Sequence, residues 1–347
     1  MGMITQASID QLQALMDQVE EPLKRSFQCM HQGYPTETYV RFLKAREGII
    51  MKAFKMLVDC LKWRVENGID DILAKPIIPV DLYRAVRDSQ LVGLSGYTKE
   101  GLPVLAIGVG LSSLDKASAH YYIQSHIQIN EYRDRVILPA TTKKHGKHIN
   151  KCLKVLDMTG LKISALSQIK LVTIISTIDD LNYPEKTLVY YIVNAPYVFS
   201  ACWKVVKPLL HERTRKKVQV LSGNGRDDLL KIMEHTSLPH FCRKEEGSSG
   251  SSRNTSSHKS PESCYLLDHP FHQQFYTYMK QQAAAALREA VTSSSSSSSA
   301  ATPVKQGSFL RVALPDASSA HDHLHNTSQK GFSGSLDDLT LSSENGK

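Results

Sequence analysis

Apolar residues recur at three- and four-residue spacing through 37–46 and 49–67, so the first third of the chain reads as helical. In the second stretch Ala53, Leu57, Cys60, Leu61 and Val65 fall on one face, and Gly68 supplies the stop. Sharp turns follow near Pro76 and Pro79. From Leu102 the period changes. PVLAIGVG (103–110), KCLKVLDMTG (151–160), TLVYYIVNA (187–195) and KVQVLSG (217–223) are short apolar runs, and each predicts a strand. Between them lie helical signals at 118–137, ending at Pro139, at 167–181, closed by Pro184, and at 198–210, with another at 227–235. Strands alternating with helices predict an α/β fold with a largely parallel sheet flanked by helices. Strands that are apolar on both faces suit a sheet covered on both sides.

These patterns divide the chain into a helical N-terminal subdomain (1–75) and an α/β domain (76–242). A flexible linker (243–267), rich in Arg, Lys, Glu, Gly and Ser, leads to a C-terminal helix (268–291). That helix carries Phe271, Phe275, Tyr278 and Met279 on one side. The Ser-rich remainder (292–347) reads as disordered.

Composition narrows the function classes. The chain is 347 residues long and 41% apolar, yet no run approaches the ~20 apolar residues a bilayer span requires. The nearest, 187–203, is broken by Asn194 and Pro196 and bounded by Lys186 and Lys204, and reads as a buried strand followed by a helix. The start has no secretory pattern, Gln6 stands where myristoylation needs Ser or Thr, and the end has no prenylation cysteine. A cytoplasmic protein touching membranes reversibly through its folded surface is the expectation. The six cysteines have no close pairing, which predicts free thiols. Net charge is +8, and 292–347 carries four basic against five acidic residues, so the folded part holds about +9 and should attract anionic surfaces.

Few segments suggest bond-making chemistry. GVGLSS (108–113) follows a strand but has Ser113 where a dinucleotide fingerprint needs its third glycine, and it reads as an ordinary turn. No phosphate-loop or nucleophile-elbow motif occurs, so the chain is read as a non-enzyme. The histidines of HGKH (145–148) and HDHLH (321–325) lack supporting ligands, and no metal is expected. HERTRKK (211–217) is either a solvated basic turn or a phosphate site, with Thr214 offering a hydroxyl and Lys217 a point charge. It lacks the interleaved aromatics of a nucleic-acid reader. The helix at 198–210 places Phe199, Cys202, Trp203, Val206 and Leu210 on one side and Lys204 and Lys207 on another. Such a helix either faces the core with a wet side or forms a lid over an amphiphile and touches the bilayer when open.

The order of these segments resembles the CRAL-TRIO lipid-exchange family over 38–241, in particular its phosphatidylinositol/phosphatidylcholine transfer proteins. The matching motifs are RFLKAR (41–46), LKWRVENG (61–68), GLP (101–103), LDMTGL (156–161), LNYPEK (181–186), YYIVNAP (190–196), KPLL (207–210) and LPHFC (238–242). DHPFHQQFYTYMKQQ is similar to an extension of plant members. The resemblance implies a hydrophobic lipid pocket closed by the 198–210 helix as its gate. It also implies inositol-phosphate contacts from Arg46, Glu185, Thr214 and Lys217, with no cofactor beyond the bound phospholipid. Three positions depart from the family pattern. Glu47 stands where a second basic residue is common, Lys186 replaces an arginine, and Cys152 and Lys154 replace the Ser/Thr pair that meets phosphocholine. Phosphatidylinositol is therefore the expected ligand, ahead of phosphatidylcholine. The implied partners are an anionic membrane, Golgi or plasma membrane, and phosphoinositide kinases, with no nucleic acid, for a monomeric carrier. Two alternatives stay open: a carrier of a sterol, tocopherol or retinoid, and an adaptor that recruits partners through GFSGSLDDLTLSS (331–343).

Overall fold

The structure is a computed structural model that describes residues 4–243 and 262–294, with side chains through 292. Most of the expected linker, the tail beyond 294, HDHLH and GFSGSLDDLTLSS lie outside the described residues.

Four helices open the chain: α1 (Gln6–Met16), α2 (Glu21–His31), α3 (Pro35–Ala45) and α4 (Ile50–Asn67). Thr5 and Ser8 close a capping box at the start of α1, and proline in the first turn starts α2 and α3. They pack around Leu12, Phe27, Phe42, Leu43, Leu57 and Leu61. The buried stripe of α4 runs through Ala53, Leu57, Cys60, Leu61 and Arg64, whereas Val65 is 44% exposed. The expected face is thus one position off at its end. Gly68 stops α4 in the left-handed conformation (φ +57°), where a side chain would be strained.

A 3-10 turn (Ile69–Ala74) and α5 (Val80–Ser89) lead into the sheet. Its strands are β1 (Val92–Tyr97), β2 (Pro103–Gly108), β3 (Cys152–Asp157), β4 (Thr187–Val193) and β5 (Val218–Val220), in that spatial order. β1 runs antiparallel to β2, and the other pairs are parallel. The intervening helices are α6 (Ala119–Tyr132) and α7 (Leu138–His145) before β3, and α8 (Ile169–Asn182) before β4. α9 (Phe199–Val206) and the short α10 (Glu212–Arg215) precede β5, and α11 (Arg226–Ile232) follows it.

Strand alternation separates two surfaces. Val104, Ala106, Leu153, Val155, Val189 and Val193 enter a core closed by residues of and beyond α11, among them Leu229, Met233, Leu238 and Phe241. Ile107, Leu156, Ile192 and Val218 point the other way, toward α8 and α9.

Three expectations need correction. β1 was not foreseen, because Gly93 and Gly96 dilute its strand signal. Pro139 does not end the helix it follows. A π turn at Arg133–Ile137, in which Leu138 N–H bonds the Arg133 carbonyl five residues back, shifts the register so that the chain passes proline and continues as α7. The end of the expected linker is packed, with Cys264 and Tyr265 buried in the sheet core. α12 (Pro270–Ser294) follows, running three residues past its expected end. Its Phe271 and Phe275 lie against Tyr132, and the helix packs on the Ile69–Ala74 turn. All six cysteines are free.

The glycine that hides β1 is also what admits the 262–265 segment. A Cβ at Gly93 would collide with the Cys264 backbone, and the Cys264 carbonyl is held by His272 at 3.0 Å. Gly93→Ala is expected to destabilise the protein by about 1–3 kcal/mol, read as a lower urea midpoint together with faster proteolysis ahead of α12.

Candidate functional site

Between the second sheet surface and the α8–α9 layer lies a cavity of ≈ 330 Å³. Its walls are apolar: Leu156 and Ile192 from the sheet, Ile169, Val172 and Ile175 from α8. All five residues predicted on one side of the 198–210 helix, Phe199, Cys202, Trp203, Val206 and Leu210, line it. Phe199 and Trp203 stack with centroids 5.9 Å apart. The same helix turns Lys204, Val205 and Lys207 outward, and the preceding Tyr197 is 95% exposed. An apolar inner face and a basic, partly apolar outer face therefore occur on one movable-sized element.

At one end the cavity adjoins a small polar pocket, and the two share Asp179, Asp180, Tyr190 and Thr214. Here Lys217 Nζ lies 2.7 Å from Glu185 Oε2, and Arg213 reaches Glu185 Oε1 at 3.5 Å. Thr214 donates its hydroxyl proton to Asp180 Oδ1 at 2.7 Å. Burial pushes the Asp180 carboxyl up, and the Thr214 hydrogen bond acts against that rise. Glu185 sits in the left-handed region (φ +60°), in a turn tied down by Arg41, which donates to the Pro184 carbonyl at 3.1 Å.

Of the four expected head-group residues, Glu185, Thr214 and Lys217 come together in this pocket. Arg46 does not line it; its guanidinium donates to the neighbouring Ala45 carbonyl at 3.0 Å. Burial lowers the Arg46 pKa, and repulsion from Arg213 lowers it further, so the two arginines are close enough to share one field. Sequence reasoning passed over Arg213 and Asp180. The first was visible inside HERTRKK; the second had no local signal.

A further cluster was not anticipated. Inside the cavity the Lys154 ammonium lies 3.0 Å from Asp179 Oδ2 and 5.4 Å from the Tyr190 ring centroid. The other Asp179 oxygen meets His126 Nε2 at 2.7 Å and accepts from Asn130 at 2.8 Å. Burial alone would raise the Asp179 carboxyl, but His126 and Lys154 outweigh it and hold it well below the usual carboxylate range.

The CRAL/TRIO domain matches residues 87–242, and the CRAL/TRIO N-terminal domain matches 8–59. The chain belongs to the CRAL/TRIO family. A crystal structure of Sfh5 superposes with a TM-score of 0.55 at 17% identity, covering 84% of this chain and 99% of that one, which supports the CRAL/TRIO fold. Phosphatidylinositol/phosphatidylcholine transfer protein SFH9 of Arabidopsis thaliana is 32% identical over 61% of this chain and 37% of its own length. SFH12 of the same plant, also named a phosphatidylinositol/phosphatidylcholine transfer protein, is 31% identical over 58% and 38%. The SEC14 cytosolic factor of Eremothecium gossypii is 29% identical over 58% of this chain and 67% of its own. The match thus spans little more than a third of the two plant relatives. No helix among the described residues is long and apolar enough to cross a membrane.

In this CRAL/TRIO chain, Lys186 ties the polar pocket to the π turn that follows α6. Its ammonium lies 3.2 Å from Asp134, and burial pulls its pKa from 10.5 to about 8 despite that partner. Between those two values the unfolded chain holds a proton that the folded chain has released, so this group makes stability rise with pH across the window. Comparing urea midpoints at about pH 7.5 and about pH 10 should show wild type gaining on Lys186→Met by at most roughly 3 kcal/mol. A difference that stays flat with pH would refute the assignment.

Proposed function

We propose that this protein binds phosphatidylinositol with its acyl chains in the apolar cavity and its inositol phosphate at the polar pocket, and transfers or presents it between membranes. The observation that carries the reading is the apolar cavity roofed by the inner face of α9 and opening beside Lys217, Arg213 and Thr214. The relatives named as phosphatidylinositol/phosphatidylcholine transfer proteins support the lipid class. Burial of each acyl methylene contributes about 0.8 kcal/mol relative to water, but a bilayer offers nearly the same. Extraction is then close to neutral in the tails, and polar contacts of about 1.5–3 kcal/mol each, when charge-assisted, decide which lipid is held.

In this mechanism the exposed Lys204 and Lys207 dock the closed protein on an anionic membrane. α9 swings away as a gate, lipids exchange, and Thr214 and Lys217 meet the phosphate. Glu185 orients Lys217 and Arg213, and Arg46 adds its field from beside the pocket. No covalent bond changes, so the activity is non-enzymatic. Supply of the lipid to phosphoinositide kinases, and membrane trafficking at the Golgi or plasma membrane, are the roles such an activity serves.

Mass spectrometry of co-purified lipid, followed by a vesicle transfer assay, tests the reading. Phosphatidylinositol is expected on the wild type, and Lys217→Ala should lower its transfer roughly 10- to 100-fold, the loss of one charge-assisted contact. A sterol or isoprenoid in its place would keep the cavity but replace the ligand. Unchanged inositol-lipid transfer by Lys217→Ala would remove the head-group assignment.

A further inference from the structure

The parallel strands β3, β4 and β5 all begin at one edge of the sheet, and their entry segments are laced together there. Cys152 N–H donates to the Lys186 carbonyl and Tyr190 N–H to the Lys217 carbonyl, each at 2.9 Å. The segments before β4 and β5 hold the polar pocket. The third, KKHGKHINK (143–151) between α7 and β3, lines neither that pocket nor the cavity. No acidic residue occurs from 135 to 156. Lys143, Lys144 and Lys147 are exposed, and none of them is ion-paired among the described residues. Basic residues suit the last turn of α7, but Lys147 and Lys151 lie beyond Gly146, where that helix has ended. The loop is pinned at its base. Ile149 N–H donates to Thr142 Oγ1 at 3.0 Å, and the His148 ring stacks on Tyr34 with centroids 3.6 Å apart. We propose that Lys143, Lys144 and Lys147 form a second docking surface for an anionic bilayer, separate from α9, which seats the pocket edge of the sheet against the lipid phosphates.

Lys151 joins this surface to the pocket. Burial lowers its pKa and repulsion from Lys44 and Lys217 adds to the effect, with Glu185 acting the other way, so loop, α3 and pocket share one field. The neighbouring entry segment adds Arg213, Arg215, Lys216 and Lys217 against only Glu185 and Glu212, so this edge carries much of the +8 net charge. A field of one sign along an edge attracts anionic lipid within about a Debye length. The placement also has a mechanical consequence. α9 and its lysines move under the gating proposed above, whereas the loop is anchored to β3, so contact through it can persist while lipids exchange. The inference rests on that membrane-exchange reading.

The test uses the full chain and vesicles of phosphatidylcholine with or without phosphatidylserine, and reads bound protein by co-sedimentation. Wild type is expected to bind the anionic vesicles. The combined variant Lys143→Gln, Lys144→Gln, Lys147→Gln should bind them roughly 10- to 100-fold more weakly, with a flatter salt dependence. Lys143→Arg, Lys144→Arg, Lys147→Arg should bind as wild type does, which separates charge from folding. Lipid loaded from detergent micelles should be equal in all three proteins. A Gln variant that binds anionic vesicles like wild type overturns the inference, as does an Arg variant as weak as the Gln one. Wild type that fails to bind anionic vesicles, whether or not it binds RNA, overturns it too. Wild type that docks but loads no lipid overturns instead the reading on which the inference rests.

Discussion

Successive side chains of a strand point to opposite faces, so the register of β2 to β5 decides which residues meet in the cavity. Ile107 pairs with Leu156 and Leu156 with Ile192, while Lys154 pairs with Tyr190 and Tyr190 with Val218. Every one of these points to the same surface. A slip of one residue would exchange the two sets. Lys154 would then leave Asp179 for the core between the sheet and α11, and Val155 would line the cavity in its place. Apolar wall, buried ammonium and aromatic face are therefore consequences of a single alignment, which the packing of Val155, Val189 and Val193 on the far side keeps in step.

The N-terminal helices are fastened to that sheet by buried charge. Arg64 on α4 donates to both oxygens of Glu131 on α6, at 2.8 and 3.0 Å, and to Asp70 at 2.7 Å. Desolvating such groups costs several kcal/mol per ion, so the cluster is better understood as fixing one docking geometry than as a large net source of stability. LNYPEK gains its meaning here. Tyr183 donates to Glu131, the Pro184 carbonyl accepts from Arg41, Glu185 holds Lys217 and Arg213, and Lys186 meets Asp134. Four consecutive residues tie α3, the end of α6 and the mouth of the cavity together, which is a physical reason for that turn to carry so specific a motif.

Local period made much of this legible. The four parallel strands, the stop at Gly68 and the lining face of α9 all follow from spacing within short windows, because an amphipathic element announces which side it buries. What stayed hidden depends on residues far apart in the chain. The α6 pair His126 and Asn130, Lys154 on β3 and Asp179 on α8 come from three separate elements and meet only after two crossovers. Substitution of Lys154 for a small polar residue was visible as a departure from the family pattern, yet its partner was not. β1 was hidden by glycines whose purpose is steric, since Gly93 must let Cys264 pass. At Arg46 the side chain turns to the neighbouring Ala45 carbonyl and stays outside the pocket lining.

Asp179 and Asp180 explain how the interior and the rim can belong to one site without moving together. Adjacent helical positions project about 100° apart, so α8 sends one carboxylate inward to Lys154 and His126 and the next toward Thr214 at the rim. Thr214 lies on α10, directly after the α9 segment, whereas Lys154 and His126 sit on the sheet and on α6. Displacing α9 and α10 would therefore break the Thr214–Asp180 hydrogen bond and leave Asp179 fully satisfied. Under the proposed gating, the inner pair would stay in place as a fixed charge while the outer contact opened, so the interior would keep the same electrostatic character as the rim exchanged its contents.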